Sequence, residues 1–136
     1  MKSSLAFICL GNSCSSIMAE ALARHYYGSE LQAVSAGLSP LGWVAPETLA
    51  VLTELSIPTN GLSSKDLWEI DLANCRAVVN LTEQELVHLL PPGFAGCLFH
   101  RQIIDPFGFS LETYRRTRDA IIELIKREIR LWLEIG

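Results

Sequence analysis

The stretch Leu5–Leu10 restricts the possible folds of this chain more than any other part of the sequence. It reads LAFICL, six apolar residues in a row, and Gly11-Asn12 ends the run. A short run without polar residues is typical of a strand buried on both faces, as in a parallel sheet covered by helices. We therefore expect an α/β fold whose first strand is Leu5–Leu10.

Strand-like and helix-like segments alternate along the rest of the chain. Further strands are predicted at 31–35, 76–81 and 97–104, and helices at 16–27, 46–55, 82–90 and from 110 onward, with a short helical turn around Leu67-Trp68. Thr82 and Glu85 form the candidate capping box of the third helix. This alternation predicts a three-layer α/β sandwich with a central, mainly parallel sheet of four strands. No repeat or linker divides residues 1–136, so we expect a single domain.

The composition excludes several classes of protein. The net charge of −4 argues against nucleic-acid binding through a general basic field. Four cysteines, at 9, 14, 75 and 97, are too few and too unevenly spaced for a secreted disulfide scaffold. No apolar run approaches the ~18 residues that a membrane span needs. We therefore expect a soluble, cytoplasmic protein with no nucleic-acid or membrane partner.

The segment CLGNSCSS, residues 9–16, connects the first predicted strand to the first predicted helix. In parallel sheets ligands collect at the carboxyl ends of strands, and backbone N–H groups at a helix N-terminus bind anions. The same electric field favours the charged form of a thiol. Cys9 is therefore the candidate nucleophile. The candidate anion-binding loop consists of Leu10, Gly11, Asn12, Ser13, Cys14, Ser15 and Ser16, which the resemblance described below implies to be a phosphate-binding loop.

Three motifs in this order resemble those of a known family. They are CLGNSC followed by SSIMAEA, Ser35-Ala36-Gly37, and Asp105-Pro106-Phe107-Gly108 followed by SLETYRRTRDAI. The chain resembles the low-molecular-weight protein tyrosine phosphatases and the arsenate reductases related to them, over essentially its whole length. The resemblance implies the phosphotyrosine protein phosphatase I-like fold and an activity that uses no metal and no cofactor.

The resemblance also implies roles for individual residues. Cys9 would attack the phosphoryl group to form a thiophosphate intermediate, and Asp105 would protonate the leaving phenol. Asn12 and Ser16 would shape the loop, and Phe107 and Trp43 would form the wall of the substrate-binding site. The implied substrate is a phosphotyrosine protein or a small aryl phosphate, and inorganic phosphate or sulfate would occupy the same loop.

The sequence departs from the family pattern at Ser15, where the pattern has an arginine. A neutral hydroxyl cannot supply the bidentate, charge-assisted pair that clamps two phosphoryl oxygens. Arg24 and Arg101 are the other cations considered, and neither lies in the loop. Three functions stay open: a weakened phosphatase, a degenerate module that binds an anion or a phosphopeptide, and, ranked below both, an arsenate reductase.

The sequence leaves open alternative roles for some of the remaining cysteines and for the C-terminal segment. Cys14 is either a redox partner of Cys9, as the resemblance implies, or a packing residue of the loop. Cys75 and Cys97 lie on or beside predicted strands and are predicted to be core thiols. The segment 131–135 carries more apolar side chains than one helix face needs, so it either covers the core or forms a self-association patch.

Overall fold

Four parallel strands form one sheet, as the sequence predicts. The structure is a computed structural model and describes residues 2–134. The strands are β1 (Ser3–Cys9), β2 (Leu31–Gly37), β3 (Ala77–Asn80) and β4 (Cys97–His100), in the spatial order β2-β1-β3-β4. The helices are α1 (Ser15–Tyr27), α2 (Pro46–Glu54) and α3 (Leu111–Glu134), and short 3-10 turns span Leu67–Glu69, Leu72–Asn74 and Val87–Leu89.

The two faces of the sheet are covered differently. Alternate side chains of β1, such as Leu5 and Phe7, point into a large core formed with α1, α2 and α3. The others, Ala6 and Ile8, point into a smaller core covered by the 3-10 turns and their loops. Cys75 is buried in this smaller core, as predicted, whereas Cys97 is only half-buried. The sheet is therefore the middle of three layers, of which only one consists of α-helices.

The predicted helix at 82–90 is wrong. Only the 3-10 turn Val87–Leu89 forms there. The Asn80 carboxamide holds the preceding segment in turns: its Oδ1 accepts from Thr82 N–H and Oγ1–H, and its Nδ2 donates to the Gln84 carbonyl at 2.6 Å. The Thr82 hydroxyl then accepts the Gln84 N–H instead of capping a helix. A side chain that bonds its own local backbone competes with helix formation in this way.

The fourth strand is shorter than predicted, ending at His100 instead of Ile104. Among the described strands it pairs only with β3, which itself ends at Asn80, opposite His100. Beyond that point the chain keeps two backbone hydrogen bonds, from Arg101 N–H to the Asn80 carbonyl and from Ile103 N–H to the Leu81 carbonyl. The chain therefore leaves the sheet at the edge where β1 also ends, and this brings the segment after β4 close to the loop after β1.

The last helix closes the larger core. The Trp132 side chain is fully buried, with its ring edge-on to Phe7 at a centroid distance of 5.8 Å. Leu131 is exposed, and Ile135 lies outside the described residues. The burial of Trp132 favours the core-covering alternative for this segment. Between residues 2 and 134, no helix is both long and apolar enough to cross a membrane.

Candidate active site

Hydrogen bonds from other segments to its outward-facing carbonyl oxygens hold the loop between β1 and α1. The carbonyl oxygens of Cys9, Leu10, Gly11 and Ser13 accept backbone N–H groups of the segment 38–45 at 2.8–3.2 Å. The carbonyls of Gly11 and Ser13 also accept the hydroxyls of Ser64 and Thr48. In a trans peptide the N–H points opposite to the carbonyl. The N–H groups that follow these carbonyls therefore point toward the inside of the loop, next to the N-terminus of α1, an arrangement that is able to bind an anion.

Asn12 and Gly37 determine the shape of this loop. Asn12 has a positive φ of 45°, and its carboxamide donates to Ser16 Oγ at 2.8 Å and to Ser35 Oγ at 2.9 Å while accepting the Lys65 N–H at 2.7 Å. A Cβ at Gly37 would lie 2.8 Å from the Leu10 carbonyl oxygen and 2.9 Å from the Asn12 nitrogen. The chain therefore needs a glycine there, and the Ser35-Ala36-Gly37 motif supports the loop directly.

The Cys9 thiol lies inside the loop and is largely buried. Its Sγ is 2.8 Å from Ser16 Oγ and accepts the Asn12 N–H at 3.2 Å. The second loop thiol, Cys14, donates to the Tyr114 hydroxyl at 3.5 Å. Burial raises the pKa of Cys14 above its usual range, against the opposing effect of that hydrogen bond. The two thiols therefore differ in their surroundings: Cys9 contacts a backbone N–H and a hydroxyl, whereas Cys14 faces the phenol of Tyr114.

A cavity of about 220 Å³ opens above the Cys9 thiol. The segment after β4 forms one wall with Asp105 and Phe107, and the Phe107 N–H donates to Asp105 Oδ1 at 3.1 Å. The remaining lining residues are Leu10, Gly11, Ser13, Cys14, Ser39 and Leu41. Trp43 does not line the cavity, but its ring packs against Phe107 at a centroid distance of 5.9 Å.

The described residues that line this cavity include no lysine or arginine. Ser15 is buried at the start of α1, with 2% of its surface exposed. The two cations considered from the sequence are paired elsewhere: Arg24 with Glu20, and Arg101 with Glu128 at 2.7 Å. Across residues 2–134, no group of three or more His, Cys, Asp or Glu side chains is arranged to hold a metal ion. Backbone N–H groups and hydroxyls are therefore the groups available to an anion.

The structure brings together most, but not all, of the sequence-predicted site residues. Cys9, Asp105 and Phe107 share the cavity, while Asn12 and Ser16 lie beneath it and support the loop. Sequence reasoning missed Ser39 and Leu41 in the cavity wall and Thr48 and Ser64 behind the loop. No sequence signal distinguishes these residues, because they act through contacts between segments distant in the chain.

The fold is an α/β sandwich in which the loop around Cys9 lies at the carboxyl end of the first strand. Residues 4–134 match the family described as low molecular weight phosphotyrosine protein phosphatase. The chain belongs to that family, which the sequence motifs had predicted.

The relatives of this chain are named for different activities. The protein-arginine-phosphatase of Bacillus subtilis (strain 168) is 32% identical over 141 residues, spanning 90% of this chain and 92% of that protein. The arsenate reductase of Bacillus cereus (strain 03BB102) is 34% identical over 129 residues, spanning 93% of each. A solved arsenate reductase in the phosphate binding state superposes with a TM-score of 0.81 at 28% identity, covering 100% of both chains.

Proposed function

We propose that this protein hydrolyses aryl phosphate monoesters, including phosphotyrosine, through a thiophosphate intermediate on Cys9. The observation that carries the proposal is the shared cavity: the Cys9 thiol and the Asp105 carboxyl both line it, and Cys9 contacts the Asn12 N–H and the Ser16 hydroxyl. A nucleophile stabilised by hydrogen bonds and an acid within the same small cavity is the arrangement that a two-step phosphoryl transfer needs.

In the first step, the Cys9 thiolate attacks phosphorus, the P–O bond to the phenol breaks, and the Asp105 carboxyl gives its proton to the departing oxygen. In the second step, Asp105 as carboxylate takes a proton from water, the resulting hydroxide attacks phosphorus, and the P–S bond breaks to release inorganic phosphate. Inward N–H groups of the loop and the N-terminus of α1 stabilise the negative charge on the phosphoryl oxygens. The Ser13 hydroxyl, buried and without a hydrogen-bond partner within residues 2–134, is a further donor for them.

The cavity walls favour an aromatic leaving group. The Phe107 and Leu41 side chains flank the entrance and stay about 40% exposed, and Trp43 supports Phe107 from behind. Exposed apolar side chains around a polar loop bind a flat ring while the loop holds its charged end. We therefore propose Phe107 as the direct substrate wall and Trp43 as its support.

Ser15 lowers the expected rate. Phosphoryl transfer depends on charge stabilisation at the transferred oxygens, and the clamping arginines of other phosphoryl-transfer enzymes contribute a factor of roughly 10³ to 10⁵, or about 4 to 7 kcal/mol. Since Ser15 is neutral and none of the described residues that line the cavity is a lysine or an arginine, we expect a slow enzyme.

The proposal is tested by comparing the parent protein with Cys9→Ser on p-nitrophenyl phosphate. The parent is expected to turn over slowly and Cys9→Ser not at all, because a serine hydroxyl lacks the nucleophilicity of a thiolate. Equal rates for the two proteins would disprove the role of Cys9. Unfolding curves of both variants serve as the control for folding.

A second candidate is a module that binds phosphate, sulfate or a phosphopeptide without turnover. The neutral Ser15 favours it, since the inward N–H groups still offer an anion site while the clamp for the transition state is missing. Calorimetric titration with each ligand tests it: binding by a parent that shows no Cys9-dependent hydrolysis would favour the module, and the absence of any binding would eliminate it.

Arsenate reduction ranks third, although relatives carry that name. The resemblance implies that thioredoxin-coupled reductases use additional cysteines after the third strand, and residues 80–83 here read NLTE. Cys75 instead lies before β3, buried in the smaller core, where burial raises its pKa to about 11. A thiol in that position is a poor relay to Cys9. Arsenate-dependent thiol oxidation at useful rates would reverse this ranking.

A further inference from the structure

Glu20 is a buried carboxylate that the proposed mechanism does not use. It lies in α1 with 3% of its surface exposed. One oxygen accepts the Ser35 hydroxyl at 2.5 Å and lies 3.6 Å from Lys65 Nζ, and the other pairs with Arg24. A buried charge is costly unless it is paired and hydrogen-bonded, and Glu20 is both. Its hydrogen-bond donor, Ser35, belongs to the network beneath the Cys9 loop.

The hydrogen bonds from Glu20 to Cys9 have a fixed direction. A carboxylate only accepts, so the Ser35 hydroxyl proton points to Glu20 and Ser35 Oγ serves as an acceptor. The Asn12 Nδ2 group donates one proton to Ser35 Oγ and the other to Ser16 Oγ, while Asn12 Oδ1 faces the Lys65 N–H. Ser16 Oγ therefore already accepts a proton from Asn12, and when Cys9 is a thiolate, which has no proton to give, the Ser16 hydroxyl donates to the sulfur 2.8 Å away.

We infer that Glu20 is a positioning residue that, through Ser35 and Asn12, keeps the Ser16 hydroxyl donating to the Cys9 thiolate. The inference deepens the proposed function and rests on its assignment of Cys9 as the nucleophile. In a loop without a cation, this hydrogen bond is one of the few stabilising contacts of the sulfur. Glutamine at position 20 cannot replace the carboxylate, because it has one acceptor oxygen where Arg24 and the Ser35 hydroxyl need two.

If Glu20 acted only as a nearby charge, neutralising it would change the reactivity of Cys9 in the opposite direction. The charged groups around Glu20 are Arg24 and Lys65, and the other ionisable groups at the Cys9 cavity are Cys14 and Asp105. Neutralising Glu20 would leave two cations uncompensated, and added positive potential favours a thiolate. Loss of the hydrogen bond from the Ser16 hydroxyl, in contrast, disfavours the Cys9 thiolate. The direction of the change in Cys9 reactivity therefore separates the two explanations.

The experiment measures the rate of alkylation of Cys9 by iodoacetamide as a function of pH, with the modified peptide quantified by mass spectrometry to separate Cys9 from the other thiols. Glu20→Gln is expected to move the midpoint of this pH profile upward by about 0.5 to 1 unit, as for weakening one hydrogen bond to a charged group. In a Ser35→Ala background the same change is expected to produce no upward shift, because the connection is already cut. Arg24→Gln is the control that weakens the ion pair and keeps the carboxylate.

An unchanged or downward-shifted midpoint in folded Glu20→Gln, or an equal upward shift in both backgrounds, would overturn the inference. An upward shift as large in Arg24→Gln would also overturn it, because the ion pair would then be responsible. If Glu20→Gln does not fold, Glu20→Asp provides the test: its shorter side chain is expected to move the midpoint upward, and by less when Ser35 is alanine. Alkylation does not require turnover. A parent without phosphatase activity would therefore refute the proposed function, while the shift in the pH profile of Cys9 alkylation would still test the role of Glu20.

Discussion

The two sides of the cavity are built in contrasting ways. On the side of the proposed nucleophile Cys9, the nucleophile side, Asn12, Ser13, Ser15 and Ser16 are at most 2% exposed, and hydrogen bonds from four other segments of the chain hold their loop. On the side of the proposed acid Asp105, the acid side, Asp105 and Phe107 are exposed, and the hydrogen bonds within that turn are local, such as the one from Phe109 N–H to the Pro106 carbonyl at 2.9 Å. Changes on the first side should therefore impair folding and chemistry together, whereas changes on the second should impair chemistry alone.

The largest effect on stability is expected from Asn12→Ala. The change removes three side-chain hydrogen bonds from a fully buried position and leaves a residue other than glycine at positive φ. We expect a loss of about 3 to 5 kcal/mol in the free energy of unfolding, measured by urea denaturation, together with loss of Cys9 reactivity. A variant of parental stability would contradict the coupling between folding and chemistry on this side.

Asp105→Asn should separate the two sides. The amide cannot transfer a proton to the phenol, so turnover of p-nitrophenyl phosphate should fall by roughly 10² to 10³. Because Asp105 is exposed, the free energy of unfolding should change by less than about 0.5 kcal/mol. A substrate whose leaving group needs no protonation is the matched control, since it should lose much less activity. A large loss of stability would show that the acid side is also structural.

Alkaline pH should destabilise the nucleophile side. Burial raises the pKa values of Cys14 and Tyr114 above their usual ranges, so the folded protein keeps protons that the unfolded chain releases. From about pH 9 upward the unfolded state binds fewer protons than the folded state, and the free energy of unfolding should fall by up to about 1.4 kcal/mol per pH unit for each group. Cys14→Ala should reduce the slope in denaturant titrations between pH 9 and 10.5. An unchanged slope would contradict the assignment, with Phe107→Ala as the control outside the buried loop.

Phe107→Ala should give the smallest effect, confined to binding. Removal of the exposed ring should raise KM for p-nitrophenyl phosphate by about tenfold, the equivalent of about 1.4 kcal/mol, with kcat and stability nearly unchanged. An alkyl phosphate, which has no ring to contact, should show no such rise. Because alanine keeps the backbone N–H that donates to Asp105, a fall in kcat equal to that of Asp105→Asn would show that the Phe107 ring itself positions the acid as well as contacting substrate.

The sequence was sufficient where the information is local. The apolar run at 5–10, the Gly11-Asn12 turn and the periodicity after residue 110 predicted the first strand, the loop and the last helix at nearly their observed positions. It failed at 82–90, because the Asn80 side chain outcompetes a helix whose capping residues looked favourable. It also missed Ser39, Leu41, Thr48 and Glu20, whose relation to Cys9 depends on tertiary contacts that no local pattern reports.

The central claim is that the cavity keeps the nucleophile and the acid of its family and lacks only a positive charge at position 15. The most direct measurement is kcat/KM for p-nitrophenyl phosphate in the parent, Ser15→Arg and Ser15→Gln, each checked for folding by its unfolding curve. We expect Ser15→Arg to gain roughly 10³- to 10⁵-fold while Ser15→Gln, of similar length but uncharged, gains little. A folded Ser15→Arg that gains less than about tenfold, equivalent to about 1.4 kcal/mol, would contradict the claim.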